Sequence, residues 1–129
     1  MSNYDEIIAY IPYFNQENPN FCKWTTGQDT VDGSLILPYP EYDREFTHFI
    51  DAVHDAQLLN GNYFEIINER VPDKKYRAAI SAADVELLSA ILTYYVRAER
   101  YCDGAWETAY QEQIFLKILL RLKELVDIH

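Results

Sequence analysis

The fold class is decided by residues 81–101, which read SAADVELLSAILTYYVRAERY. Ser81 and Asp84 resemble a capping pair, and apolar side chains then recur every three or four residues as far as Tyr101. This spacing places the apolar side chains on one face of a helix. We therefore predict a long central helix, which the Asp-Gly pair after it breaks.

Further helices are predicted on both sides of the central one. Residues 41–60 carry an apolar stripe that stops at Asn60-Gly61, a signal of the left-handed cap type. That stripe consists of Tyr42, Phe46, Phe49, Ile50 and Val53. The other predicted helices are residues 3–10, which Pro12 ends, 105–112 and 113–126. Residues 62–70 either prolong the second helix or form a separate element, and 71–75 form a loop.

Residues 14–40 differ in composition and are rich in Asn, Gln, Thr, Gly and Pro. Two short β-favouring runs, 21–25 and 34–37, lie around Gly27 and Gly33. They predict a small β-hairpin or an irregular arm near residues 20–38. With 129 residues, we expect one compact, mostly α domain over residues 1–129, with four to six helices.

The charge balance limits the classes of partner. Acidic residues outnumber basic ones by 21 to 11, so the formal net charge is -10. A negative field repels nucleic-acid phosphates and anionic lipid, so we expect neither direct nucleic-acid binding nor membrane binding. The same field suits a basic partner, including one that ordinarily binds DNA.

The cysteines and the N-terminus indicate a cytoplasmic protein. Cys22 and Cys102 lack CxxC spacing and read as reduced thiols. Residues 1–6 carry acids instead of a basic, apolar leader, and no run approaches about 18 uncharged apolar residues. We expect neither secretion nor membrane spanning.

Glu99 breaks the polarity pattern of the central helix. On a helical wheel its side chain falls between Leu92 and Tyr95, so the carboxyl group faces the core or a cleft. It also lies at the negative end of the helix dipole, and burial without a partner would cost several kcal/mol. We expect hydrogen bonds from backbone amides or an ion pair with a guanidinium group. The candidate guanidinium groups are Arg44, Arg70, Arg77 and Arg121.

Asp103 lies one turn after Glu99, and two interpretations are open. In one, Asp103 N-caps the next helix and Glu99 ties the central helix to a neighbour. In the other, the two carboxylates converge in a cleft for acid-base chemistry, for a divalent cation or for a cationic ligand group. Arg97, Arg100 and Trp106 complete this candidate cleft, with the arginines as anion-binding groups.

The segment LTYYVRAERYCDGAW, residues 92–106, resembles the LTxxVRxERxCDG signature of a family of small bacterial domains of unknown function. The family's AADLE helix start is similar to AADVE at residues 82–86, so the likeness covers about residues 80–125. One departure is Gln113, where relatives often have glycine. The resemblance implies a fold and a bacterial source, and it implies no activity for the motif residues.

The last predicted helix is apolar on more than one face. Most of its apolar side chains fill one broad arc, but Leu116 and Leu120 lie together on another side, beside Lys123 and Asp127. Either another element of the chain covers these leucines or a second subunit does. We treat them as a candidate self-association interface and expect a homo-oligomer.

Other constellations are generic. His48, Asp51 and Asp55 share a helix face, which we interpret as a solvated surface, so we expect no metal site and no cofactor.

Three functions stay open. The first is a bacterial cytoplasmic, non-enzymatic domain that self-associates or binds a protein. The second is a small-ligand binder or enzyme with a cleft around Glu99 and Asp103. The third is an acidic inhibitor or nucleic-acid mimic that binds a basic protein.

Overall fold

The computed structural model describes residues 4–25 and 38–128, with the side chain of Ile128 excepted. The helices are α1 Asp5–Ile8, α2 Ile11–Phe14, α3 Arg44–Asp55, α4 Tyr63–Arg70, α5 Tyr76–Ala79, α6 Val85–Ala98, α7 Ala105–Gln111 and α8 Ile114–Ile128. A 3₁₀ turn, Ile80–Ala82, precedes α6, and the strands are β1 Cys22–Trp24 and β2 Pro40–Tyr42. The expected mostly helical fold with a small antiparallel hairpin is confirmed. Over the described ranges, every helix is too short or too polar to cross a bilayer.

The central helix, α6, begins one turn later than predicted. Asp84 is its N-cap and accepts a 2.9 Å hydrogen bond from the Leu87 amide, whereas Ser81 lies in the preceding 3₁₀ turn. Arg70 of α4 donates to the same carboxylate at 2.8 Å. This hydrogen bond, and that from Leu87, hold the pKa of Asp84 below its ordinary value. The cap therefore also joins α4 to α6.

The second predicted helix was too long at both ends. Tyr42 lies in β2, opposite Cys22, and the helix α3 begins only at Arg44. The chain leaves α3 through Gln57, whose φ is 56°, so the left-handed residue comes before the predicted Asn60-Gly61 stop. The apolar stripe of α3 extends to Tyr42 in the sequence because this residue, although it lies in a strand, packs its side chain against Phe46 in the same aromatic core.

Two other predicted boundaries also differ. The predicted helix over residues 3–10 is the single turn α1, and Pro12, which was expected to end it, lies instead in the first turn of a separate helix, α2, where its missing N–H costs nothing. The first β-favouring run contains β1, but its partner strand is Pro40–Tyr42. The second run, 34–37, lies outside the described residues.

The core is organised around α8. Five of its described side chains are fully buried: Ile114, Phe115, Ile118, Leu119 and Leu122. Phe115 makes an edge-to-face contact with Phe46 and with Phe49 of α3, at ring-centroid distances of 5.3 and 5.8 Å. The segment 62–70, left open by the sequence, forms a separate helix, α4, with Asn62 as its N-cap, and α4 packs along α6.

The turn between α7 and α8 requires a left-handed residue, and Gln113 occupies it with a φ of 62°. Its carbonyl accepts the Lys117 amide at 3.0 Å and so begins α8. A side chain with a Cβ pays a steric cost in this region of backbone space. This geometry agrees with glycine being favoured at this position.

Replacing Gln113 with glycine should raise the free energy of unfolding by about 0.5–1 kcal/mol, because glycine adopts positive φ without that cost. The urea midpoint, at an unchanged slope, measures the effect. Gln111→Gly is the matched control: it ends α7 without a positive φ, so glycine there should not raise stability. A lower midpoint for Gln113→Gly would contradict the assignment.

Candidate functional site

Glu99 follows α6 directly, and its carboxylate accepts three hydrogen bonds. The backbone amides of Gly104 and Trp106 donate to it at 2.9 Å each, and the Tyr42 hydroxyl donates at 2.7 Å. Burial and the neighbouring Glu99 raise the pKa of Tyr42, so its hydroxyl stays protonated as a donor. Of the two kinds of partner expected for Glu99, backbone amides are the kind found.

Arginines were the other kind of partner expected for Glu99, but in the described chain they either pair with other carboxylates or form no ion pair. Arg70 pairs with Asp84 and Glu86, and Arg121 pairs with Glu124. Within residues 4–25 and 38–128, Arg44 and Arg77 form no ion pair. The guanidinium interpretation of Glu99 is therefore wrong for the described chain.

Glu99 acts as the N-terminal cap of α7. The residue at the N-cap position is Gly104, whose φ is 91° and which has no side chain to offer. The predicted cap, Asp103, is exposed and does not fill this role. Glu99 thus lies at the negative end of α6 and at the positive end of α7, which offsets the unfavourable dipole interaction.

Trp106 of α7 donates hydrogen bonds back to α6. Its indole Nε1–H donates to the carbonyls of Tyr95 and Val96, at 3.1 Å each. Its ring packs against Tyr42 and Phe46, with centroid distances of 5.2 Å in both cases. Each helix therefore supplies the hydrogen-bond partners that the end of the other one needs.

Gly104 is required by two separate constraints. Its positive φ disfavours any side chain, and a Cβ there would lie 2.7 Å from Cζ2 of Trp24. The Trp24 indole is held over this glycine by a 3.1 Å hydrogen bond from its Nε1 to Glu107. Strand β1 is thereby attached to the turn between α6 and α7.

A cavity of about 590 Å³ lies beside this joint, and we call it the arginine cleft. It is lined by Ile50, His54, Leu59, Val96, Arg97, Glu99, Arg100 and Trp106. Four of the five residues predicted for a cleft are thus brought together. Asp103 does not line it, so the predicted pair of convergent carboxylates is not formed.

Two further features, a cysteine and a group of three side chains on α3, bear on the chemistry available to the chain. Burial, with a contribution from Glu107, raises the pKa of the Cys22 thiol to about 11, so the nucleophilic thiolate is scarce at neutral pH. His48, Asp51 and Asp55 are exposed on α3. Among the residues with described positions, no three metal-ligating side chains are grouped to hold an ion.

The two leucines of the candidate interface, Leu116 and Leu120, differ in solvent exposure. Leu116 is 8% exposed and is covered within the chain, which removes it from the predicted interface, whereas Leu120 is 44% exposed. Leu120 lies in a cavity of about 660 Å³, which we call the Leu120 groove. It is lined by Lys75, Arg77, Ala78, Ile80, Ser81, Lys117, Leu120, Arg121 and Glu124.

A model of DUF6508, a family of unknown function, matches residues 1–128 of the chain. The chain belongs to DUF6508. The expected membership of a family of unknown function is therefore confirmed, while the signature motif and a bacterial source stay predictions. No curated protein and no solved structure matches this DUF6508 chain.

The basic residues of the Leu120 groove were not among the site residues predicted for this DUF6508 member. Lys117 and Arg121 lie four residues apart on α8, which places both beside Leu120. This spacing could have been used to predict that the two basic side chains share a helix face. Lys75 and Arg77 come from a loop and a single helical turn, and nothing local indicates that they face α8. His54 of the arginine cleft was likewise missed, because it comes from α3.

Glu99→Gln should lower the free energy of unfolding by about 3 kcal/mol, because an amide has one acceptor oxygen and would place its own N–H groups against backbone donors. Asp103→Asn removes the same charge from an exposed side chain and should change stability by less than about 0.5 kcal/mol. Urea unfolding of both variants measures the difference. Equal, small effects would show that the three hydrogen bonds to Glu99 do not stabilise the fold.

Proposed function

We propose that this DUF6508 protein is a non-enzymatic interaction domain that self-associates, with the Leu120 groove of one copy bound to an acidic surface of a second copy. The observation that carries the proposal is a concentration of unpaired positive charge in an acidic chain. Four of the 11 basic residues line the groove, although the net charge is -10.

The charges of the groove are largely uncompensated. Over the described part of the chain, Lys75, Arg77 and Lys117 form no ion pair. Arg121 is held in place by hydrogen bonds to the Ala83 carbonyl at 2.8 Å and to Glu124 at 3.2 Å. Three cations without carboxylate partners favour a partner surface that supplies carboxylates.

Leu120 supplies an apolar anchor in the same groove as these charges. Its side chain is 44% exposed beside Ile80 and Ala78, which also line the groove. Covering a large aliphatic side chain contributes up to about 1.5–3 kcal/mol, and surrounding charges orient the partner and speed its association. An apolar centre with a charged rim is the usual arrangement of an interface.

The chain itself carries an acidic surface of matching kind. Glu6 and Glu45 line a hollow of about 420 Å³, together with Ala9, Tyr10 and Ala52. Burial, Glu45 and Glu6 raise the pKa of Tyr10, as expected for a negative potential at its hydroxyl. Because groove against groove would oppose like charges, the proposed contact is head-to-tail.

The state of the candidate catalytic groups also supports a non-enzymatic function. The Glu99 carboxylate is committed to three hydrogen bonds inside the chain, and Asp103 lies outside the arginine cleft. A general acid or base must reach a substrate proton, and Glu99 already holds the donors around it.

Self-association should appear in sedimentation velocity as concentration-dependent oligomers at low salt. It should weaken in about 1 M NaCl, where the Debye length is about 3 Å. Lys117→Glu should weaken association by at least about tenfold, because it puts a carboxylate in the groove. Lys123→Glu makes the same charge change at an exposed α8 position outside the groove and should have little effect. A monomer at all concentrations would overturn the proposal.

A mixing experiment tests the head-to-tail geometry. Lys117→Glu disables the groove and keeps the acidic hollow, whereas Glu6→Lys with Glu45→Lys disables the hollow and keeps the groove. Each variant alone should be monomeric, and an equimolar mixture should form a dimer. A mixture that stays monomeric would contradict this pairing of surfaces.

A further inference from the structure

We propose that the arginine cleft binds a small organic anion, with a carboxylate or phosphate group held by Arg97 and Arg100 and an apolar body placed against Trp106. The cleft, of about 590 Å³, has the size of a small-molecule site, for which typical volumes are about 300–1,000 Å³. This proposal uses residues separate from the Leu120 groove and does not depend on self-association.

The balance of hydrogen-bonding groups selects an anion. Among the described residues, Glu99 is the one carboxylate that lines the cleft, and it already accepts three hydrogen bonds. Among the residues that the structure describes, the guanidinium groups of Arg97 and Arg100 form no ion pair or hydrogen bond, so their donors are free for a ligand. His54, at the end of α3, adds a further possible donor.

Arg97 is held in position without using its donors. Its guanidinium carbon lies 5.3 Å from the centroid of the Tyr63 ring, a cation–π contact. This contact restricts the long side chain and leaves its N–H groups available to a carboxylate or a phosphate. A preordered arginine loses less conformational entropy on binding, which favours affinity.

The remaining walls explain why the ligand needs an apolar body. Ile50, Leu59 and Val96 line the cleft with the Trp106 ring. Trp106 is fixed by its two hydrogen bonds to carbonyls of α6, so it offers a rigid surface. A bare inorganic anion would leave these apolar walls against water, whereas an aromatic or branched group would cover them.

Isothermal titration calorimetry at low ionic strength tests this with phenyl phosphate and benzoate as the probes. Inorganic phosphate and benzyl alcohol lack the apolar body and the anionic group respectively, and each should bind at least about tenfold more weakly than the better organic anion. Whichever of the two organic anions binds more tightly identifies the headgroup. Failure of both organic anions to bind would overturn the proposal, and so would equal binding of inorganic phosphate.

Variants then locate the bound probe. Arg100→Gln changes an exposed side chain and should weaken binding by at least about tenfold, and Arg97→Lys, which keeps the charge but loses the planar fork, should do so too. Arg44→Gln, at an exposed position outside the cleft, is the matched control and should bind normally. Unchanged binding in Arg100→Gln and Arg97→Lys would overturn the assignment.

The titration is also done on Lys117→Glu. The cleft proposal requires normal binding by this variant, because Lys117 lies outside the cleft. Loss of the probe in Lys117→Glu with retention in Arg100→Gln would place the anion in the Leu120 groove and overturn the cleft proposal. Failure of self-association alone leaves the cleft result unaffected, so the two proposals fail separately.

Discussion

The exchange of hydrogen bonds between α6 and α7 is the constraint on which the surrounding structure depends. Glu99 receives the first amides of α7, and the Trp106 indole donates to the last carbonyls of α6. The start of α7 has no side-chain cap of its own that could replace Glu99, because its N-cap residue, Gly104, offers no side chain. The angle between the two helices is therefore set by hydrogen bonds as well as by apolar packing.

The hairpin and the arginine cleft follow from this arrangement. Tyr42 attaches β2 to Glu99, and Trp24 attaches β1 to the turn at Gly104. The arginine cleft opens where α3, α6 and α7 meet, so its walls are held by the same joint. The Leu120 groove lies elsewhere, between the segment around α5 and the outer face of α8. The structure thus separates a rigid small cavity from an exposed, charged surface.

Periodicity in the sequence was sufficient for the class of the fold and for the inward direction of Glu99. Periodicity was insufficient to predict where helices begin. Tyr42 continues the apolar stripe of α3 although it lies in a strand, and Ser81 is as plausible an N-cap of α6 as Asp84. Which backbone amides bind Glu99 could not be predicted, since these donors follow a turn whose path depends on the left-handed Gly104. The basic groove joins segments 40 residues apart, and such proximity is a property of the tertiary fold.

Both tryptophans of the chain belong to the same joint. Trp24 covers the glycine of the turn, and Trp106 lies inside it between Tyr42 and Phe46. The intrinsic fluorescence of this protein is consequently a local signal: its emission reports the opening of one junction between two helices and a hairpin. Loosening confined to α4 or to the end of α8 would leave that emission nearly unchanged.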